Sequence, residues 1–305
     1  MKFEKAYENY INYINLKQKP TSVIAFKTKF KNLILPHFKN KKINKIKESD
    51  IVFWQQEIEK MGYSYGYKRN LFYCLTAFFD YCITYHNLKK NVARVVGNFK
   101  NNEIKQNEFK TWTINDYKNF INCVNDPVYK TLFKFLFLTG ARKSEALALT
   151  FNDINFDNNI ITINKSISKD LIGGKRIILP PKTKKSIRNI LIDKNLSEDL
   201  NNLQKHYINK FKNYNNNFFV FGGNKPISCT TLSRKKDYYC EIANVNKIRI
   251  HDFRHSHATI LFNNNVPVST ISKRLGHSSI KTTLDVYIHA SDDEISAVNV
   301  LNSLL

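Results

Sequence analysis

Over the first ninety residues the apolar positions recur at intervals of three and four, the period of a helix with one buried face. Phe3, Tyr7, Tyr10, Ile11 and Ile14 form the first such face. A second segment opens at Pro20-Thr21-Ser22 and carries Val23, Phe26, Phe30 and Leu33. A third, with Ser49 or Asp50 as its N-cap, carries Ile51, Trp54 and Ile58 and stops at Gly62. A fourth runs from an N-cap at Ser64 to Tyr85, with Leu71, Leu75, Phe78 and Phe79 on one side. Four amphipathic helices of this length predict a small bundle over 1–92.

The period then lapses. Residues 93–111 are polar and basic, which reads as a linker. Beyond it, 112–305 predicts helices near 114–124, 127–138, 196–213, 228–242, 251–264 and 268–275. Between them lie Ile-rich runs at 160–164, 176–180 and 186–192, with a Gly173-Gly174 turn, which predict a three-stranded antiparallel sheet. The expected fold class is mainly α with a small antiparallel β-sheet.

Composition narrows the function. The chain has 305 residues, 42% hydrophobic and 13% aromatic, enough to fold and too apolar for a disordered tail. Its most apolar run, Leu132 to Leu138, is broken by Lys134 and is far short of the ~20 residues that cross a bilayer, so no membrane partner is expected. The N-terminus lacks the apolar stretch of a secretory signal, which points to the cytoplasm. Five scattered cysteines without a C-x-x-C pair suggest neither a disulfide framework nor a zinc ribbon. The net charge is +23, and both halves share it: residues 1–100 hold 19 Lys or Arg against 7 acids, and 101–305 hold 29 against 18. A polyanion gripped from two sides fits that distribution.

The chemistry gathers near the C-terminus, where five of the eight histidines fall in the last quarter: His251, His255, His257, His277 and His289. His251 and Arg254 are three residues apart in HDFRHSHATILF, so on a helix they reach one ligand. An imidazole beside a guanidinium makes a receptor for phosphate. No metal is expected, because His255 and His257 point to different sides of a helix and no acidic pair accompanies them. Upstream, FLFLTGARKSEAL breaks a helix at Thr139-Gly140 and presents Arg142 at the start of the next, with Glu145 one turn on to orient it. With no Gly-rich phosphate loop, an ATP-driven activity has no support.

The ordered set Arg142 in TGARKSEAL, H-x-x-R at His251 and Arg254, LGHSS with His277, and Tyr287 ten residues later resembles the tyrosine recombinases: phage and transposon integrases and the Xer and Cre recombinases. The likeness is closest from His251 to Ala290, while the helical N-terminal part resembles that family's SAM-like core-binding domain. The resemblance implies a core-binding domain at 1–92, a linker at 93–111 and a catalytic domain at 112–305 ending in a protomer-exchange helix. It implies a site-specific recombinase that cleaves and rejoins DNA through a 3′-phosphotyrosyl intermediate and a Holliday junction, with no cofactor. Its partners would be a double-stranded recombination site, three further copies in a homotetramer, and accessory DNA-bending proteins. The helices begin almost at Met1, so arm-site DNA binding is not expected.

In that reading Arg142 and Arg254 neutralise the scissile phosphate and Tyr287 is the nucleophile. A phenol ionises near pH ~10, so its activation at neutral pH costs about 4 kcal/mol without help, and His251 is the candidate base. His277 hydrogen-bonds a non-bridging oxygen. The family's general-acid lysine lies in a β-hairpin, here ILPPKTKKSIRN, which offers Lys182, Lys184 and Lys185, with Lys175 as a rival; the K-T-x-x-S-x-R pattern selects Lys182. Ile295, Val298, Leu301 and Leu305 form the apolar stripe of the exchange helix. The rival readings are a type IB topoisomerase or telomere resolvase with the same chemistry, and a non-catalytic basic DNA-binding protein.

Overall fold

The computed structural model describes residues 1–101, 110–168, 176–181, 186–277 and 279, and the chain divides into two units at about residue 107. In the first, α1 (Phe3–Lys17) buries the face that its spacing predicts, including Phe3, Tyr10, Ile11 and Ile14. Phe3 sits at the centre of an aromatic cluster, with its ring centroid 4.5 Å from Phe78 and 5.4 Å from Phe38. Each such fully buried side chain contributes about 1.5–3 kcal/mol.

The second predicted helix departs from regularity. It runs as α2 (Pro20–Lys29), widens into a π-turn at Phe30–Ile34 and resumes as α3 (Leu35–Phe38). Pro36 has no N–H for the carbonyl four residues back and its ring crowds that turn, and the Leu35 N–H reaches Phe30 O instead. Helix α4 (Glu48–Lys60) starts two or three residues earlier than expected. Neither Ser49 nor Asp50 is its N-cap; Lys47 is, and the Asp50 carboxylate accepts from the Lys47 backbone N–H at 2.9 Å. Helix α5 (Tyr65–His86) begins after Ser64, whose hydroxyl accepts from the Tyr67 N–H. A short α6 (Val92–Val96) follows, capped by Asn91. Ala93 and Phe99, inside the stretch expected to be linker, are buried in this first core, so the apolar packing runs past residue 92.

The second unit is built on α8 (Pro127–Thr139), whose Leu132, Phe133, Phe135 and Leu136 are wholly buried. Around it lie α7 (Ile114–Cys123), the single turn α9 (Lys143–Ala146), α10 (Lys194–Lys210), α11 (Cys229–Ile242), α12 (Asp252–Asn263) and α13 (Val268–Leu275). Among the described residues the strands are β1 (Ile154–Asn155), β2 (Ile160–Ile163), β3 (Ser166–Ile167), β4 (Ile178–Leu179) and β5 (Arg188–Leu191).

A three-stranded antiparallel sheet is present, in the order β1-β2-β5, with Ile161 opposite Ile190. Its third member is not the 176–180 run. That run supplies β4, which pairs with β3 in a separate ribbon, Ile167 opposite Ile178, because the Ile177 N–H and carbonyl are both taken by Ser168. The place in the sheet goes to β1, which a tight turn brings back on β2: Asn159 takes a positive φ of 52° and the Asn155 side chain accepts from the Asn158 N–H.

Candidate active site

Helix α8 ends at Gly140, whose φ of 65° lets the chain reverse into Arg142. A side chain at Gly140 has no room: a Cβ there would lie 2.6 Å from Leu275 Cδ2 and 2.7 Å from His257 Cδ2. The Gly140 carbonyl accepts from Arg254 Nη1 at 2.8 Å, and Leu275 O accepts from Nη2 at 2.8 Å. Arg254, only 3% exposed, thus joins the end of α8 to the end of α13.

Arg142 stands at the N-cap of α9. Its backbone N–H and its Nη1 both donate to the Glu145 carboxylate, each at 2.9 Å. The orienting role read for Glu145 therefore has its geometry, with an addition. Arg188 on β5 donates to the same carboxylate from Nη2 at 2.8 Å and from Nη1 at 3.3 Å, and its Nε donates to Arg274 O at 2.8 Å. Burial raises the Glu145 pKa, but the hydrogen bond and charge of Arg188, with the charge of Arg142, outweigh it and hold the carboxyl below its usual value.

Arg274 completes the frame. Its guanidinium donates to Leu191 O, to Leu138 O and, from Nε, to His257 Nε2. Phe137 O lies 2.8 Å from His257 Nδ1, and a carbonyl can only accept, so Nδ1 carries the proton and Nε2 is bare. Burial and the Arg274 charge push the His257 pKa down to about 3.

His251 immediately precedes α12, its ring perpendicular to that of His255 at 4.9 Å. Its pKa falls to about 4 through burial, then the His255, Arg254 and Arg142 charges. His277 follows α13 and Gly276, and its pKa also falls to about 4, through burial and the charges of Arg254, Arg142 and Arg188. Both imidazoles thus lie within electrostatic reach of the same two guanidiniums, Arg142 and Arg254. Lys182, with its rivals Lys175, Lys184 and Lys185, lies outside the described residues. So do Tyr287, His289 and the stripe Ile295, Val298, Leu301 and Leu305. Among the described residues no cluster of His, Cys, Asp or Glu could hold a metal ion, and no helix is long and apolar enough to cross a membrane.

The sequence pattern gives Arg188 and Arg274 no role, and weighs His257 only as a metal ligand. Arg188 is the arginine that ends the K-T-x-x-S-x-R match, so that motif carried the signal. His257 and Arg274 gain their partners only from the fold.

One consequence is a pH dependence of stability. His251, His255, His257 and His277 all have folded pKa values below the unfolded value near ~6.5, so the unfolded chain binds more protons in that range. Stability is complete above pH ~6.5 and is lost as the pH falls towards about 4. The urea midpoint should hold above pH ~6.5 and drop steadily as the pH falls from there to ~5, and a flat profile over that lower range would contradict the buried, neutral imidazoles.

This fold and this cluster of basic side chains define a class, and the comparisons agree. The chain belongs to the phage integrase family, whose model matches residues 110–294, while the phage integrase N-terminal SAM-like domain matches residues 2–58. It is 31% identical to the ICEBs1 integrase of Bacillus subtilis over 84% of this chain and 70% of that protein. It is 28% identical to a XerC-like tyrosine recombinase of Caldanaerobacter subterraneus over 95% of this chain and 80% of that one. The Tn1549 transposon integrase, solved in complex with transposon right end DNA, shares the fold with a TM-score of 0.79 at 22% identity, over 97% of this chain and 98% of that chain. A λ integrase dimer bound to a core site gives 0.71 at 14% identity, over 96% and 79%.

Proposed function

We propose that the protein is a site-specific recombinase that cuts and rejoins double-stranded DNA with its own tyrosine. The Tyr287 oxygen attacks the scissile phosphorus, a 3′-phosphotyrosyl bond forms, the bond to the 5′-oxygen breaks, and a 5′-hydroxyl leaves. Arg142 and Arg254 hold the non-bridging oxygens and the charge that builds on them, and His277 hydrogen-bonds one of them. His251 takes the phenolic proton; a phosphate anion in the site raises its low pKa towards neutrality. Lys182 protonates the leaving 5′-oxygen. Rejoining reverses these steps with a new 5′-hydroxyl, so the bond energy is kept and no cofactor is required.

The observation that carries this reading is the arrangement of Arg142 and Arg254 about His251 and His277. Both arginines are held by protein acceptors and both impose their charge on the same two imidazoles. A phosphodiester dianion-like transition state is the chemistry such a cationic, preorganised pocket favours. Two basic domains closing on a duplex, a homotetramer on two duplexes joined by exchange of the C-terminal helix, and a Holliday junction between strand exchanges complete the proposal. A λ integrase tetramer on a Holliday junction, 15% identical with a TM-score of 0.67 over 92% of this chain, offers a precedent for the assembly.

The test uses nicked duplexes that tile the genomic DNA on both sides of the gene, in which the short fragment beside the nick diffuses away after cleavage. The native chain should accumulate a covalent protein–DNA adduct on at least one of them, and Tyr287→Phe should accumulate none. Adduct formation by Tyr287→Phe, or none by the native chain on any duplex, would overturn the proposal.

A further inference from the structure

Beside the pocket lies a cleft of about 660 Å³ that Arg142 and His251 share with residues carrying no role in the reaction described above. Its lining holds five cations, Arg142, Lys143, Lys236, Lys247 and Arg249, against the single acid Asp237. They are not equivalent. Lys236 is buried and spends its ammonium on Ile248 O and Asp237. Lys247 is paired with exposed Glu241. Arg142 is tied to Glu145.

Arg249 differs from all of these. Its side chain is 72% exposed, yet its guanidinium is fixed: Nε donates to both oxygens of Asp252 at 3.0 and 3.2 Å, and Nη2 donates to Oδ1 at 2.8 Å. Asp252 is only 2% exposed and is itself set by the Arg249 backbone N–H, which donates to Oδ2 at 2.7 Å. A buried carboxylate therefore braces the Nε and Nη2 edge of a guanidinium that lines the cleft, and Nη1 takes no part in that pairing. A long side chain on a surface normally loses rotamer entropy when it grips a ligand, and here that freedom is already removed. Planar, doubly hydrogen-bonding and permanently charged, such a group suits a phosphate.

We infer that Arg249 is a backbone clamp: it receives a non-scissile phosphate of the cleaved strand, beside the one held by Arg142 and Arg254, with Lys143 and Lys247 flanking the same track. The inference rests on the proposed recombinase reading and adds a contact that sets strand register without touching the reacting atoms. His251 follows Arg249 by two residues, so a strand seated on the clamp is aligned directly with the candidate base.

The experiment takes the full chain and a nicked duplex on which the native protein forms its adduct. Single phosphates on either side of the cleavage position are replaced, one at a time, by neutral methylphosphonates, and binding is measured for the native chain, Arg249→Gln and Arg249→Lys. Arg249→Gln should bind about fivefold to tenfold more weakly at ~0.1 M salt, and its slope of log affinity against log salt should be smaller by about 1. One non-scissile methylphosphonate should weaken the native chain and leave Arg249→Gln unaffected, and Arg249→Lys should fall between. If every position weakens native and variant alike, or if the salt slope is unchanged, the clamp is refuted while the recombinase reading stands. If Arg249→Gln is unstable, the Arg249→Lys coupling at that same position decides. A native chain that binds and cleaves no duplex refutes both.

Discussion

Arg188→Met should abolish cleavage without the variant touching phosphate, and adding Glu145→Gln should restore part of what was lost. The reason is a shared carboxylate. Glu145 and Arg188 are 7% and 5% exposed, and the Glu145 oxygens accept from both Arg142 and Arg188. With two guanidiniums on one carboxylate, a surplus positive charge remains for the substrate. Remove Arg188 and Glu145 neutralises Arg142 alone, while Arg274 O loses the donor that fixes it. Breaking a buried pair from one side costs about 3–5 kcal/mol, because the remaining charge has no partner. The double variant removes that charge and frees Arg142. Urea unfolding and single-turnover adduct formation at low temperature, run on both variants, give the comparison. If Arg188→Met/Glu145→Gln is no faster than Arg188→Met once both are folded, Arg188 supports the fold and does nothing for Arg142.

Arg254→Lys should be as damaging, although the charge is kept. Two of the guanidinium nitrogens already hold Gly140 O and Leu275 O, and the proposed reaction asks the same planar group to hold a phosphate as well. A lysine ammonium cannot span both carbonyls and still present a bidentate edge. Each buried carbonyl left without a donor costs about 1–3 kcal/mol, and loss of a transition-state donor lowers the rate by about 10²–10³. Thermal unfolding together with adduct formation measures the two losses separately. A variant that cleaves within tenfold of the native chain would remove Arg254 from the reaction.

Much of this architecture was legible in the order of residues. The buried face of α1, the N-cap at Ser64 and the break at Gly140 each follow from local spacing, which a helix turns directly into geometry. His251 and Arg254 were legible for the same reason. What escaped is non-local. Arg188 and Glu145 are 43 residues apart, and Arg274 meets Leu138 across 136, so no periodicity could join them. The exchange of β1 for the 176–180 run in the sheet belongs to this class: β1 carries a single isoleucine, Ile154, and shows no Ile-rich run, while the Ile-rich 176–180 run finds its partner in β3. The π-turn had a local cause in Pro36, yet its wider turn keeps Phe30 and Leu33 buried, so the hydrophobic pattern gave no sign of it.

The end of α13 has its last two carbonyls grasped by different arginines, while its own Arg274 side chain anchors it to two further strands of backbone. The polypeptide therefore departs from His277 at a nailed-down origin. Ten residues of extended chain span at most about 33–36 Å. The covalent chain alone keeps the Tyr287 Cα within that distance of His277, so for the proposed reaction any phosphate the phenol attacks, whether in its own pocket or in a neighbour's, must stand within that radius plus the length of the side chain.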